Sequence, residues 1–232
     1  MKYPGVVSAE FIRRPNRFVA FCWLDGQEVM VHVKNTGRCR ELLRPGAHVF
    51  LAPALALDYR KTAYSLISVE KNGRIVNIDS QAPNKVWQEA LLSGCIILPA
   101  ALDGWVSLRQ EVAWEDSRLD FRLELPQGCA FMEIKGVTLE DDCIARFPDA
   151  PTLRGSRHLR TLIRIAETGA LAFVAFVIQM GGVSLFSPND LTDPLFGDTL
   201  REAVGKGVSI LAYDCTVLPD SIDVNQPIPI LL

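Results

Sequence analysis

The residues of this 232-residue chain best suited to chemistry are Asp120 and the triplet Glu133-Ile134-Lys135. Asp120 lies in one strand-like stretch and the triplet closes the next. The two-residue period of a strand puts Glu133 and Lys135 on one face and turns Ile134 to the other. Two carboxylates on neighbouring strands hold a divalent cation through oxygen, the donor that Mg²⁺ and Mn²⁺ prefer. A cation so held polarises a phosphodiester and lowers the pKa of a bound water, while Lys135 orients that water or neutralises charge building on phosphate. This is the D…(D/E)xK arrangement of metal-dependent nucleases. It makes Asp120, Glu133 and Lys135 the candidate catalytic residues, with Asp120 and Glu133 as metal ligands. Glu89, on a preceding helix, is the candidate outer carboxylate. With 12 Glu and 7 Lys in the chain, an ExK triplet alone carries little information. Its place at the end of the third of three strands, one strand after an Asp, carries more. The competing reading is a salt bridge at a strand end.

The elements that would position the triplet begin at Pro83. Residues 84–93 read as a helix, with Asn84 as N-cap and Gly94 just past the end. Residues 106–112, 118–125 and 129–134 read as three successive strands. A second helix over 154–167 is closed by Thr168-Gly169, and 171–178 is one apolar run, the mark of a fully buried strand. A short strand at 183–186, a helix over 194–206 and a strand at 208–213 follow. Helix, three strands, helix, strand is the core order of the restriction-endonuclease-like, or PD-(D/E)xK, fold. The spacing therefore predicts an αβββαβ domain over 82–232.

The 154–167 helix carries its own signal. At about 100° per residue, Leu159, Leu162, Ile163 and Ala166 form an apolar sector. Arg154, Arg157, Arg160 and Arg164 share a sector of about 120° away from it, a candidate phosphate rail. His158 sits between the two faces, either as an active-site hydrogen-bonding group or as a rim histidine.

The first 81 residues read as a separate small barrel. Strands are predicted at 6–12, 18–24, 28–33, 48–51, 64–70 and 74–78. Hairpin turns fall at Asp25-Gly26 and Asn72-Gly73, and a chain break at Arg13-Arg14-Pro15-Asn16. A short helix is expected over 38–43, before Pro45-Gly46. Three strands, a small helix and two more strands is the order of an OB-fold. Arg13, Arg14 and Arg17 surround the first turn, Arg38, Arg40 and Arg44 crowd the small helix, and Arg60-Lys61 precede a later strand. OB-folds bind nucleic acid through such loops. Arg13, Arg14, Arg17, Arg38, Arg40, Arg60, Lys61, Arg154, Arg157 and His158 are therefore the candidate DNA-binding residues. Phe18, Phe21 and Trp23 alternate with small or polar residues and read as core rather than as a stacking platform.

A net charge of −3 argues against a nucleic-acid partner until it is divided. Residues 1–80 carry 12 Lys and Arg against 7 Asp and Glu, and the remainder 12 against 20. A basic barrel joined to an acidic domain fits two tasks better than one. The six cysteines show neither CxxC pairs nor zinc-ligand spacing, so free thiols are expected. No apolar run approaches the roughly 20 residues of a membrane span, and Met1-Lys2-Tyr3-Pro4-Gly5 opens no secretory leader. A cytoplasmic protein with no membrane partner is expected.

With these segments assembled, the chain resembles the bacterial and archaeal sugar fermentation stimulation proteins. The likeness is carried by Asn35-Thr36-Gly37, Ser117-Arg118-Leu119-Asp120-Phe121 and Met132-Glu133-Ile134-Lys135. It continues in Phe147-Pro148-Asp149-Ala150, the stretch from Thr152 to Leu159, and Gly207-Val208-Ser209-Ile210-Leu211-Ala212-Tyr213. The resemblance implies an OB-fold domain followed by a nuclease-like domain, non-specific DNA binding, and a link to sugar utilisation, maltose in particular. Thr161 departs from the pattern, which has an acidic residue there. Two functions follow as expectations. One is a sequence-independent DNA-binding protein with a nuclease-like metal site. The other is an active Mg²⁺- or Mn²⁺-dependent nuclease. A sugar-sensing transcription factor ranks behind both, for want of a helix-turn-helix signature.

Overall fold

A computed structural model describes residues 1–35, 37–54, 62–99, 101 and 104–232. The basic third forms β1 (Val7–Asn16), β2 (Val19–Leu24), β3 (Gln27–Val33), β4 (His48–Pro53), β5 (Tyr64–Lys71) and β6 (Arg74–Asn77). Antiparallel pairing joins β3 to β2, β2 to β1, β1 to β4 and β4 to β5. Parallel pairing of β3 with β5 closes the barrel, the OB topology that the strand order predicts. Alternation builds its core: Ala20 and Cys22, Val31 and Val33, Val49 and Leu51 all turn inward and are buried. Asp25 and Gly26 both take positive φ, 50° and 80°, as a tight hairpin turn requires.

Two local expectations in the barrel are corrected. No helix forms over 38–43. Cys39 takes φ 46°, and the amides of Leu42 and Leu43 both fold back to its carbonyl, giving turns. The upstream carbonyls of Asn35, Gly37 and Arg38 accept from the Arg14 guanidinium instead of from helical amides. The predicted break at 13–16 is instead the end of a longer β1, whose pairing with β2 is irregular on both sides of Arg13. Such bulges accommodate Pro15 in a strand. The Asn16 side chain then accepts from the amides of Phe18 and Val19, at 2.9 and 3.0 Å, and makes the turn into β2.

The acidic part supplies α1 (Ala82–Leu92), β7 (Ser107–Trp114), β8 (Ser117–Leu125), β9 (Gly128–Val137), β10 (Leu139–Asp141) and β11 (Ile144–Phe147). It continues with α2 (Leu153–Glu167), β12 (Leu171–Ile178), β13 (Leu185–Pro188), α3 (Pro194–Gly205), β14 (Ser209–Leu218) and β15 (Ser221–Pro227). The main sheet runs β15, β14, β12, β9, β8, β7, with β9, β12 and β14 parallel and the outer strands antiparallel. The apolar β12 is central, as a run without alternation demands. One core cluster joins α1 to one face of the sheet, and a second joins α2 and α3 to the other and continues into the barrel. The short strand expected at 183–186 is β13, which pairs with β11 in a small sheet with β10; β10, β11 and β15 carry no sequence signal.

A buried polar network joins the two units. The Asn77 amide donates to the Gln179 carbonyl at 2.9 Å. Gln179 Nε2 returns bonds to Asn77 Oδ1 at 2.9 Å and to the Asp79 carbonyl at 3.1 Å. Asn77 Nδ2 reaches Tyr3 and Ser68, and Lys34 pairs with Asp79 at 3.2 Å. Residues 1–3 lie against the second unit, where Lys2 bridges Ser221 and the Tyr3 amide donates to the Asp220 carbonyl. Among the described residues no helix is long and apolar enough to cross a membrane, and all six cysteines are free.

Candidate functional site

The β8–β9 ladder runs from Leu125 opposite Gly128 to Phe121 opposite Met132, and there it stops. Two residues on, the Ile134 amide of β9 donates to Asp120 Oδ2 at 2.7 Å. Asp120 thus stands where the two strands part, its carboxylate replacing a backbone acceptor. Its other oxygen accepts from Asn84 Nδ2 at 2.7 Å. Asn84 was expected to cap α1. The N-cap is Gln81 and Pro83 is the second helical residue, so Asn84 sits inside the first turn and its amide is available to the strands.

Glu133 is 3% exposed. Its Oε1 accepts from Lys135 Nζ at 2.6 Å and from His158 Nδ1, while its Oε2 is buried without a partner. Arg154 Nε approaches His158 Nε2 at 3.4 Å. That contact needs a lone pair on Nε2 and so puts the ring proton on Nδ1, facing Glu133. His158 is as buried as Glu133 and bonded to it, so it does not stand on an exposed rim. The strand period and the splay bring Asp120, Glu133 and Lys135 together as the sequence predicts, and α2 adds His158.

The environment drives the two carboxyls apart. Burial, and then the charge of Glu133, hold Asp120 above the ordinary carboxylate range, with the bonds from Ile134 and Asn84 offsetting part of the effect. Burial pushes Glu133 upward too, but the His158 hydrogen bond and the Lys135 ammonium together outweigh it and leave Glu133 below its usual range. A fixed anion beside a carboxyl that resists ionisation is a pair that a cation would relieve.

Glu89 does not take the place expected of it. Its carboxylate is engaged by the Met1 ammonium at 2.7 Å, beside Asp223, and the α1 side chain that reaches the strands is Asn84. Asn84 and Glu89 lie five positions apart, about 140° around the helix, so one face cannot present both. Nothing in the sequence marked Asn84 as a site residue beyond its place at the start of α1.

The arginines divide by role. A groove of about 580 Å³ along the end of β1 is lined by Arg13, Arg14, Arg17, Arg38 and Arg40, with Ala150 from the second unit. Arg14 donates to four backbone carbonyls, those of Arg17, Asn35, Gly37 and Arg38, so it shapes the groove wall. Arg13 is held by both oxygens of Glu28, at 2.7 and 2.8 Å, over the Phe21 ring. Arg17, Arg38 and Arg40 are exposed, with no carboxylate partner among the described residues. On α2, Arg154, Arg157 and Arg160 are likewise exposed, whereas Arg164 pairs with Glu115 and Asp116. Arg60 and Lys61 lie outside the described residues.

The groove and the helix meet through two loops. A Cβ on Gly37 would stand 2.6 Å from Asp149 Oδ2, so the barrel loop abuts the segment after β11 and needs glycine there. Four residues beyond Ala150, Arg154 opens the rail of α2, whose N-cap Thr152 accepts from the Gly155 amide at 3.0 Å. The departing Thr161 is buried and bonded to Ser117 at 2.9 Å, so that position supplies no carboxylate.

Comparison with known proteins agrees with both units. The model of the SfsA N-terminal OB domain matches residues 12–78, and that of the sugar fermentation stimulation protein RE domain matches residues 81–221. The chain belongs to the sugar fermentation stimulation protein family. A homologue from Desulfitobacterium hafniense is 47% identical over 232 residues, 100% of this chain and 99% of its own. One from Clostridium beijerinckii is 46% identical over the full length of both. The structure of Pyrococcus furiosus SfsA in complex with Ca²⁺ is similar with a TM-score of 0.89 and 29% identity, over 100% of this chain and 98% of that one.

Proposed function

We propose that the chain is a cytoplasmic protein that binds DNA without sequence preference, and that its β8–β9 site is a divalent-cation centre of the nuclease type. The observation that carries the first part is two sets of exposed arginines without carboxylate partners among the described residues, one in the barrel groove that Ala150 helps to line and one on α2. Guanidinium groups so placed match phosphate oxygens, and phosphate contacts position a nucleic acid without reading it. The family's tie to sugar fermentation, and to maltose in particular, is then a consequence of DNA binding.

The site residues fit a hard cation. Glu133 Oε2 is a buried oxygen with no donor, and the carboxylate of Asp120, close enough to feel the Glu133 charge, supplies further oxygens. Asp120 and Glu133 would hold Mg²⁺ or Mn²⁺. No group of three or more His, Cys, Asp or Glu side chains is placed to hold a metal ion by itself among the described residues. Water and phosphate oxygens would therefore complete the shell, as Mg²⁺ readily allows. The Pyrococcus furiosus relative was solved with Ca²⁺, another oxygen-seeking ion. A bound cation supplies Lewis acidity and a water of lowered pKa. His158 and Lys135 keep Glu133 ionised, Asn84 and the Ile134 amide fix Asp120, and Lys135 stands ready to neutralise phosphate charge.

That geometry favours the second reading, hydrolysis of phosphodiester bonds. Single-stranded, duplex and structured DNA incubated with Mg²⁺ or Mn²⁺ tests it on wild type beside Glu133→Ala. Both proteins should bind DNA, and only wild type should cut. Equal cutting by both would remove the nuclease reading, and absent or salt-insensitive binding would remove the first.

A further inference from the structure

We infer that the outer face of the barrel is a stacking platform for unpaired bases, so that the preferred ligand is a single strand. The inference rests on the nucleic-acid reading above and names the form of the ligand. The sequence holds 11 Phe and 4 Trp, and the exposed ones are Phe18 and Trp23, at 52% and 50%. Both lie on the barrel. Inward positions on β2 are filled by Ala20 and Cys22, which turns Phe21 and Trp23 outward. Phe21 stands opposite Met30 on β3, itself exposed, and Phe18 projects from the β1–β2 turn beside Arg17. The exposed rings of Phe18, in the turn, and Trp23, on the sheet, fill no core and offer π-faces to a ligand.

Charge settles which ligand. Arg13 belongs to both surfaces: it lines the arginine groove, and its guanidinium lies 4.1 Å from the centre of the Phe21 ring. Glu28 holds it there from β3. On the other flank Glu10 and Glu28 are the cross-strand neighbours of Trp23, an unfavourable place for phosphate. The face therefore separates two functions, with cations along the groove and nearly uncharged rings beside it. A single strand has the same division, its phosphates on one side and its unpaired bases on the other. A duplex keeps its bases stacked inside and has nothing to lay on Trp23 or Phe18.

The test compares an oligonucleotide of about twelve thymidines with a mixed-sequence duplex of equal length, by fluorescence anisotropy on the full chain. Replacing Phe18 and Trp23 together by Ala should weaken the thymidine strand about tenfold or more and leave the duplex unchanged. Trp23→Phe, which keeps a ring, should restore most of that loss. The thymidine strand should also quench tryptophan emission in wild type more than in Trp23→Phe, because Trp87 is buried and Trp105 and Trp114 are half-buried. Binding of the strand that ignores the double substitution, or an equal loss for both probes, would overturn the inference and leave phosphate binding intact. If Arg17→Ala with Arg38→Ala affects neither probe, the fault lies with the nucleic-acid reading itself.

Discussion

The number of groove and α2 arginines without carboxylate partners sets how steeply DNA binding must fall with salt. Arg17, Arg38 and Arg40 in the groove and Arg154, Arg157 and Arg160 on α2 are exposed and without carboxylate partners among the described residues. Arg14 is consumed by carbonyls, and Arg13 and Arg164 by carboxylates. Each phosphate neutralised on duplex DNA contributes about −0.9 to the slope of log K against log salt, so six contacts give about −5, or about −4 on a single strand. Between roughly 50 and 200 mM salt the duplex affinity should then drop on the order of a thousandfold. Changing Arg17, Arg38 and Arg40 together to Ala should bring the duplex slope to about −2.5. Arg164→Ala, which removes an arginine already paired with Glu115 and Asp116, should leave the slope nearly as it is. Anisotropy titrations on a labelled random duplex across that salt range measure all three. A wild-type slope shallower than about −1, or equal slopes for wild type and the triple variant, would refute the assignment of these side chains to phosphate.

Other consequences are independent of that count. Arg14→Ala removes the donor to four carbonyls that hold the 35–38 loop. It should cost about 2–3 kcal/mol, read as a fall in Tm of roughly 5–10 °C. Gln179→Ala deletes two buried hydrogen bonds across the units. A loss of about 2–3 kcal/mol is expected, with separation of barrel and α/β transitions in calorimetry; a single unshifted transition would contradict it. Burial pushes Glu140 upward, but the Cys143 amide and the Lys71 and Arg74 cations outweigh it and hold the carboxyl below its ordinary range. A depressed carboxyl adds stability above its unfolded pKa and loses it as pH falls through the folded value. The stability gap between wild type and Glu140→Gln in urea melts should therefore be constant near neutrality and close below about pH 4.5.

Much of this architecture is written in local pattern. Alternation located the barrel strands, the unbroken apolar run of 171–178 located the central strand β12, and the sheet period placed Glu133 and Lys135 on one face. What pattern does not carry is where a strand leaves its neighbour. The splay at Asp120 and the capture of the Ile134 amide arise from tertiary geometry. Glu89 was chosen for its chemistry, while the helix rotation delivers Asn84. Alternation likewise assigns Phe21 and Trp23 to one face without saying which face is inside, and small Ala20 and Cys22 proved to fill the narrow barrel. Segments β10 and β11 have three and four residues, too short for any period to show. In β15 a mostly polar edge hides its alternation.

The pair Asp120 and Glu133 is central to this chemistry, and a crystal of the full chain grown with Mn²⁺ and a short oligonucleotide tests it directly. An anomalous peak should lie between these two carboxylates, with backbone phosphate beside Arg154 and Arg157; in Glu133→Ala the peak should vanish and the phosphate should stay. Manganese bound elsewhere, or an oligonucleotide seated away from the groove and α2, would contradict it.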